Sequence, residues 1–152
     1  MALSKEKKDP IFSCGISVAP VTSWRYYDTA YTERYMGLLS DVKNREQYIQ
    51  SDVINRADNF KGKKYLLIHG TADDNVHLQQ SMMLMKILQR KSILFQLQVY
   101  PDENHSLGNV DKHLYKTMDS FLTDCFQSDP KYQEIGLRKR RTGRFNNFSE
   151  DI

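Results

Sequence analysis

The chain contains no long apolar segment. A membrane-spanning helix needs about 20 consecutive apolar residues, and no such run occurs in the 152 residues. The N-terminal stretch Met1–Lys8 is too polar to be a secretory signal peptide. We therefore expect no membrane span in this chain, and any segment that anchors or exports the intact protein lies outside it.

An excess of one charge is also missing over most of the length. The formal net charge of +3 arises after position 137, where five basic side chains stand against Glu150 and Asp151. The five are Arg138, Lys139, Arg140, Arg141 and Arg144. A neutral body argues against nucleic-acid binding as the main function. We interpret residues 1–127 as one domain portion and 128–152 as a solvated, disordered basic tail. A processing site, a localisation signal and a patch that touches acidic surfaces are the alternatives.

Cysteine is scarce, with only Cys14 and Cys125 in the chain. Two cysteines do not define a disulfide framework by themselves, and a pair of buried free thiols also fits their apolar surroundings. The composition, 39% hydrophobic and 27% charged, is ordinary for a globular domain.

Apolar runs alternate with helical patterns along the chain. The predicted strands are Ile11–Val21, Lys64–His69 and Leu94–Tyr100. The predicted helices are Thr32–Leu39, Glu46–Asn55, a third from a cap at Asp74 or Asn75 to about Arg90, and a fourth over about Asp111–Gln127. Two apolar stripes mark the inner faces of the last two helices: Leu78, Met82, Met85 and Leu88, then Leu114, Met118, Phe121, Leu122 and Cys125. This alternation predicts βαβ units and a parallel sheet whose middle strand is covered on both faces.

An acid and a histidine follow two successive predicted strands. Asp73 comes after the second strand, and His105 comes after the third. Parallel sheets place functional groups in the loops beyond the carboxyl ends of their strands. Acid before histidine is the order in which the α/β-hydrolase framework presents the last two members of its catalytic triad. Asp74 is the competing acid, and we assign it to the start of the following helix.

The serine of such a triad has no counterpart here. The motif Gly-x-Ser-x-Gly does not occur in the sequence. Ser17 precedes Asp73 and His105, but the sequence around it continues as a strand, whereas a nucleophile elbow is a strained turn between strand and helix. We therefore predict that Ser17 is not a nucleophile and that the chain alone is inactive.

Four segments carry a family resemblance. They are residues 14–21 (CGISVAPV), 24–28 (WRYYD), 31–37 (YTERYMG) and 69–77 (HGTADDNVH). In this order they resemble the end of the catalytic domain of serine peptidases of the dipeptidyl peptidase IV and fibroblast activation protein group, in the prolyl oligopeptidase class. The resemblance runs from about Ile11 to Phe126 and implies an incomplete α/β-hydrolase fold, the last strands of a mostly parallel sheet with flanking helices. In that family the elbow lies before the matched region, so we expect Met1 to begin a partial product.

The resemblance implies roles for individual residues. Asp73 matches the triad acid and His105 the general base. The positions that line an apolar pocket for the penultimate substrate residue are Val21, Trp24, Tyr27, Tyr31 and Val76, and Asn75 matches a residue that contacts the substrate carbonyl. The implied substrates are peptides with Pro or Ala second from the N-terminus, with no cofactor and with homodimers formed partly through the last helix. Cys14 and Cys125 match cysteines that are joined in the family, which implies a secreted or cell-surface location.

Some of these residues also fit other interpretations. His69, Asp73, Asp74 and His77 are zinc-ligand types, but their spacing fits no zinc signature, so we predict no metal site. The aromatic residues also fit a loop that simply packs onto the sheet. Some family relatives are accessory subunits of potassium channels that have lost the nucleophile and act by interaction only. Those relatives erode the segment around Asp73, and its intact form here favours the enzyme.

Three further expectations concern local chemistry. Ser106 stands where the family has glycine after its histidine, which predicts a narrower histidine loop. Two glycosylation sequons begin at Asn104 and Asn147, and Asn147 is the predicted acceptor because a glycan beside His105 would block the site. The first strand should have an open edge where the rest of the sheet would pair, so we expect the isolated chain to be poorly stable.

Overall fold

The computed structural model describes residues 12–128, which form a three-stranded parallel sheet with flanking helices. The strands are β1 (Cys14–Val18), β2 (Lys64–Gly70) and β3 (Gln96–Tyr100). The helices are α1 (Thr29–Met36), α2 (Val42–Ser51), α3 (Gln79–Arg90) and α4 (Asp111–Ser128), with short 3-10 helices at Trp24–Tyr26 and Ile54–Phe60. Ile11, the basic tail and the sequon at Asn147 lie outside the described residues.

The middle strand β2 is buried on both faces, as its unbroken apolar run predicted. Leu67 belongs to a core cluster that includes Leu88 of α3. Leu66 and Ile68 belong to a second cluster that includes Phe121 of α4. Because successive strand residues point to opposite faces, β2 separates two cores, with α3 on one side and α4 on the other.

The register of the sheet brings two loops together. β2 pairs with β1 on one side and with β3 on the other, and Gly70 lies opposite Tyr100. The loops that follow β2 and β3 therefore leave the sheet side by side, at the carboxyl ends of the strands. Within residues 12–128 the strand order is β1-β2-β3, so β1 is an edge strand as predicted; the poor stability of the chain stays a prediction.

The first two helices begin earlier than the apolar pattern predicted, because aspartate side chains cap them. Asp28 precedes α1, and its Oδ1 accepts a hydrogen bond of 2.8 Å from the backbone N–H of Tyr31. Asp41 precedes α2, and its Oδ1 accepts a hydrogen bond of 2.9 Å from the N–H of Lys43. Such caps satisfy backbone donors that have no partner within the helix. The predicted starts at Thr32 and Glu46 are therefore too late.

The predicted cap of the third helix is wrong. α3 begins at Gln79, after an uncapped Leu78, so neither Asp74 nor Asn75 starts it. The segment 71–78 is instead a loop between β2 and α3. The carboxylate of Asp73 organises this loop, because its Oδ1 accepts hydrogen bonds from the backbone N–H groups of Asn75 and Val76.

The predicted apolar stripes are correct in part. Met85 and Leu88 of α3 and Cys125 of α4 are buried, whereas Met82 is 50% exposed and Leu122 is 36% exposed. The buried face of α3 also includes Gln80, Ser81 and Leu84, which the predicted stripe left out.

Candidate active site

Asp73 lies in the loop after β2 and accepts hydrogen bonds on both carboxylate oxygens. Its Oδ1 accepts from the backbone N–H groups of Asn75 at 3.0 Å and Val76 at 2.9 Å. Its Oδ2 lies 2.9 Å from Nδ1 of His105. The residue is only 6% exposed. The backbone N–H groups of its own loop hold Oδ1, and this directs Oδ2 at His105.

The electrostatics of Asp73 favour the carboxylate form. Burial raises the pKa of this carboxyl, but hydrogen bonds from His105 and from the N–H groups of Val76 and Asn75 outweigh it, and the pKa lies below its ordinary value. A carboxylate only accepts hydrogen bonds. The hydrogen between the two side chains therefore belongs to Nδ1 of His105.

His105 lies in the loop after β3 and is open to solvent. Its side chain is 42% exposed, and Nε2 makes no hydrogen bond to any other residue of the 12–128 range. With Nδ1 carrying a hydrogen, the neutral ring has its free lone pair on Nε2. The arrangement presents a proton acceptor at the surface with a carboxylate behind it.

Close contact between the two loops depends on Gly70. The N–H of Ala72 donates to the carbonyl of Glu103 at 3.0 Å, and the N–H of Asp102 donates to Oγ1 of Thr71 at 2.8 Å. A Cβ at Gly70 would overlap the backbone carbonyl of Glu103. The glycine thus lets the loop that carries the histidine approach the loop that carries the acid.

Replacing Gly70 by alanine should displace the loop after β3. The overlap is with backbone, which must shift, so we expect the free energy of unfolding to fall by about 1–3 kcal/mol. The contact between His105 and Asp73 should weaken at the same time. Urea denaturation measures the first effect, and the NMR signal of the hydrogen-bonded Nδ1 proton of His105 reports the second.

The matched control for this prediction is Gly108→Ala in the same loop. A Cβ at Gly108 has as its nearest neighbour Oγ of Ser106 at 3.5 Å, which is an ordinary contact. This variant should keep both the stability and the Nδ1 signal. Equal losses in the two variants would contradict the role given to Gly70.

His69 is a further residue of the site, and the sequence pattern weighed it only as a metal ligand. It lies on β2, is fully buried, and has hydrogen bonds at both ring nitrogens. Nδ1 lies 2.7 Å from Oγ of Ser81, and Nε2 lies 2.7 Å from the carbonyl oxygen of Val76. Nε2 also lies 3.3 Å from Oδ2 of Asp73. The sequence signal that could have identified this residue is a histidine inside an otherwise apolar central strand, because such a buried side chain needs hydrogen-bond partners.

The four residues of zinc-ligand type named above do not form a cluster. Both nitrogens of His69 are used by protein groups, and Asp74 and His77 are exposed. No group of three His, Cys, Asp or Glu side chains suited to a metal ion occurs within residues 12–128.

The predicted pocket residues form an aromatic surface beside the acid loop. Trp24 and Tyr31 are stacked with their centroids 6.1 Å apart, and Tyr27 contacts both rings edge-on. Val21 is half-buried and Val76 is buried. The rings therefore pack mainly on each other, and Tyr31 stays 48% exposed, as a surface available to a ligand would be.

One hydrogen bond joins this aromatic surface to the acid loop. The hydroxyl of Tyr27 donates to Oδ1 of Asn75 at 2.9 Å. The backbone N–H of the same asparagine donates to Asp73. Asn75 therefore lies between the aromatic surface and the pair of Asp73 and His105, and its side-chain NH₂ remains available as a donor.

The side chain of Ser106 turns to its own loop. Ser106 is exposed, and its N–H and Oγ both donate to Oδ1 of Asn104, at 3.0 and 2.7 Å. Its φ is not positive; the positive value in this turn is at Leu107. The backbone at Ser106 does not require glycine, and the narrower loop stays a prediction.

Ser17 lies within β1, not in a turn. Its hydroxyl is hydrogen-bonded to that of Tyr65 on the neighbouring strand, and burial raises the pKa of Tyr65 to about 12. A serine in a regular strand that is bonded to a protonated phenol lacks an adjacent general base.

Cys14 and Cys125 are joined in a disulfide, as the resemblance implied. Their Cα atoms are 6.4 Å apart. The bond links the beginning of β1 to the last helix, and Cys125 is buried against the sheet. It thereby ties the edge strand of the sheet to α4.

Comparison with known proteins gives consistent relatives. The sequence matches the prolyl oligopeptidase family over residues 1–129. Venom dipeptidyl peptidase 4 of Apis mellifera is 58% identical over 117 residues, which cover 77% of this chain and 15% of that protein. Dipeptidyl peptidase 4 of Sus scrofa is 52% identical over 118 residues, and prolyl endopeptidase FAP of Homo sapiens is 50% identical over 117; each covers 76% of this chain and 15% of the relative.

Solved structures agree with the sequence relatives. The crystal structure of Porphyromonas gingivalis dipeptidyl peptidase 4 superposes with a TM-score of 0.69 at 41% identity, over 74% of this chain and 16% of that one. This likeness confirms the predicted α/β-hydrolase fold. The chain spans about 15% of the length of the relatives it matches.

Proposed function

Because this chain belongs to the prolyl oligopeptidase family of serine peptidases, we propose that it supplies the acid and the base of a serine-type dipeptidyl peptidase. The observation that carries the proposal is the 2.9 Å contact between Oδ2 of Asp73 and Nδ1 of His105. Neither residue type is catalytic by itself, but an ionised acid that holds an exposed imidazole in one tautomer is suited to general base catalysis. The nucleophilic serine is proposed to come from a part of the polypeptide outside this sequence.

In the proposed mechanism, Nε2 of His105 removes the proton of the serine hydroxyl as that oxygen attacks the substrate carbonyl. The resulting imidazolium is stabilised by the carboxylate of Asp73 and then gives its proton to the leaving amine. Water repeats the sequence to release the acyl group. The low pKa of Asp73 keeps its negative charge in place throughout the neutral pH range.

The proposed products are X-Pro or X-Ala dipeptides. Trp24, Tyr27 and Tyr31 offer ring surfaces that suit the flat face of a pyrrolidine ring or a methyl group, and Val21 and Val76 add apolar contacts. The NH₂ of Asn75 is proposed to donate to a substrate carbonyl, which is favoured by the engagement of its Oδ1 with Tyr27.

The intact pair of acid and histidine favours an enzyme over a non-catalytic accessory subunit. A protein that acts only by interaction does not need Asp73 buried, ionised and aligned with His105. The accessory role remains the second hypothesis for the intact protein, and the identity of its nucleophile distinguishes the two.

We further propose that the intact protein works outside the cytoplasm. The disulfide between Cys14 and Cys125 is typical of an oxidising compartment, and relatives include venom proteins. None of the helices within residues 12–128 has the length and apolar character of a membrane span. Homodimerisation through α4 is proposed as well, because Tyr115, Leu122 and Phe126 are exposed there; sedimentation of the intact protein tests it.

The proposal is tested by comparing the complete polypeptide with this chain. The complete polypeptide should hydrolyse Gly-Pro-p-nitroanilide, and its sequence before the present one should contain a Gly-Trp-Ser-Tyr-Gly-Gly elbow. The 152-residue chain alone should release no p-nitroaniline, since triad members act as a unit. Hydrolysis by the chain alone that an Asp73→Asn change abolishes would contradict the proposal, as would a complete polypeptide whose elbow serine is replaced.

A further inference from the structure

Two adjacent polar residues at the start of α3, Gln80 and Ser81, are fully buried and reach opposite parts of the site. Each is 0% exposed, although glutamine and serine are usually found at the surface. α3 itself is fixed to the core through Leu84 and Leu88, which are also buried. Groups hydrogen-bonded to its first turn are therefore held by a rigid part of the molecule.

Gln80 binds the backbone of the segment that leads into the aromatic surface. Its Oε1 accepts from the N–H of Thr22 at 3.0 Å and from the N–H of Ser23 at 2.9 Å. Its Nε2 donates to the carbonyl of Ser23 at 3.0 Å, and Oγ1 of Thr22 donates to the carbonyl of Gln80 at 2.7 Å. Val21 and Trp24 directly flank Thr22 and Ser23 in the sequence.

These bonds satisfy backbone groups that have little access to water. Thr22 and Ser23 are each 1% exposed, and a buried N–H or carbonyl without a partner is costly. The side-chain amide of Gln80 binds three of these backbone groups, and the carbonyl of Thr22 accepts instead from the N–H of Val53 at 2.9 Å. The position of Trp24 relative to α3 follows from these bonds.

Ser81 reaches the acid loop through His69. The carbonyl of Val76 only accepts hydrogen bonds, so Nε2 of His69, 2.7 Å away, must carry a hydrogen. In the neutral ring Nδ1 is then an acceptor for the hydroxyl of Ser81 at 2.7 Å. The same Nε2–H group faces Oδ2 of Asp73 at 3.3 Å, beside the atom that contacts His105.

We propose that Gln80 and Ser81 are the positioning residues of the site: Gln80 sets the pocket segment, and Ser81, acting through His69, sets the acid loop. Because the two are neighbours on one helix turn, they fix the separation between the substrate pocket and the triad acid. This inference rests on the proposed peptidase function. Neither residue touches substrate, and neither is a catalytic residue.

The test separates binding from chemistry in the complete polypeptide. Gln80→Met keeps the shape and removes the amide, so KM for Gly-Pro-p-nitroanilide should rise by about tenfold or more while kcat changes by less than about threefold. Ser81→Ala should do the reverse, with kcat falling by about tenfold and KM nearly constant. Ser81→Thr, which restores a hydroxyl, should recover most of the lost kcat.

Two measurements guard against a simple loss of folded enzyme. Titration with a covalent serine-directed inhibitor gives the concentration of competent sites, to which every kcat is referred. If Gln80→Met yields none, Thr22→Val tests the same contact from the other side. It removes the hydroxyl that bonds to the carbonyl and to Oε1 of Gln80 but keeps the backbone bonds to the amide, so it should raise KM by a smaller factor.

The matched controls are Gln79→Met and Ser120→Ala. Gln79 is the exposed neighbour of Gln80, and Ser120 is an exposed serine of α4, so both variants should behave as wild type. Unchanged kinetics in Gln80→Met and Ser81→Ala, or parallel losses of kcat in both at constant KM, would overturn the inference while the wild type remains active. An inactive wild-type polypeptide would instead reject the proposed function, and this inference with it.

Discussion

Replacing His105 by alanine in the complete polypeptide is expected to remove nearly all turnover. In the proposed mechanism the imidazole takes and returns the proton, and without it Asp73 has no ring to orient. Loss of the general base from a serine triad lowers kcat by about 10⁴- to 10⁶-fold. Steady-state hydrolysis of Gly-Pro-p-nitroanilide measures the effect, and KM should change little because the ring does not line the aromatic surface.

His77→Ala is the control for this prediction. His77 is also an exposed histidine near the carboxyl ends of the strands, but it is not part of the pair with Asp73. Its replacement should leave kcat within about twofold of the wild type, as expected for a surface side chain. Retained activity in His105→Ala, or an equal loss in His77→Ala, would remove His105 from the proposed triad.

Replacing both Cys14 and Cys125 by alanine should produce the largest change in stability. The bond closes a loop between positions 111 residues apart in sequence, and the chain-entropy model gives a loss of about 4–5 kcal/mol for a loop of that size. Alanine avoids burying a new hydroxyl at position 125, which is 2% exposed. Urea denaturation of the 152-residue chain measures the loss as a lower transition midpoint.

A reducing agent provides the internal control for the disulfide. Reduction of the wild-type chain should shift its midpoint to about that of the double variant, whereas the variant should not respond. The slope of the transition should be similar in all samples if only the stability changes. Equal midpoints for the oxidised wild type and the double variant would show that the bond contributes nothing to folding.

The sheet could be predicted because its sequence signal is local. The apolar stretch of β2 and the prolines after β1 and β3 limit the strands to within a few residues of their observed bounds. The helices were less predictable. Asp28 and Asp41 start α1 and α2 by side-chain capping, and a single capping residue leaves no trace in the apolar periodicity.

The proximity of Asp73 and His105 could also be anticipated, because adjacent parallel strands place the loops that follow them at the same end of the sheet. The supporting residues could not. The partners of Gln80 lie 57 and 58 positions earlier in the chain, and no local pattern pairs them. The sequence argued only against a metal role for His69. Its environment, with both ring nitrogens bonded to protein groups, is a property of the packed interior.

The double engagement of the acid loop limits how substrate preference can be redesigned. Val76 contributes its N–H to Asp73 and its carbonyl to His69, so a bulkier or smaller side chain there would move the backbone that aligns Asp73 with His105 in the proposed triad. Trp24 and Tyr31 contact other rings and leave the carboxylate untouched. Libraries intended to admit larger penultimate residues should therefore vary those two aromatic positions first and keep the valine constant.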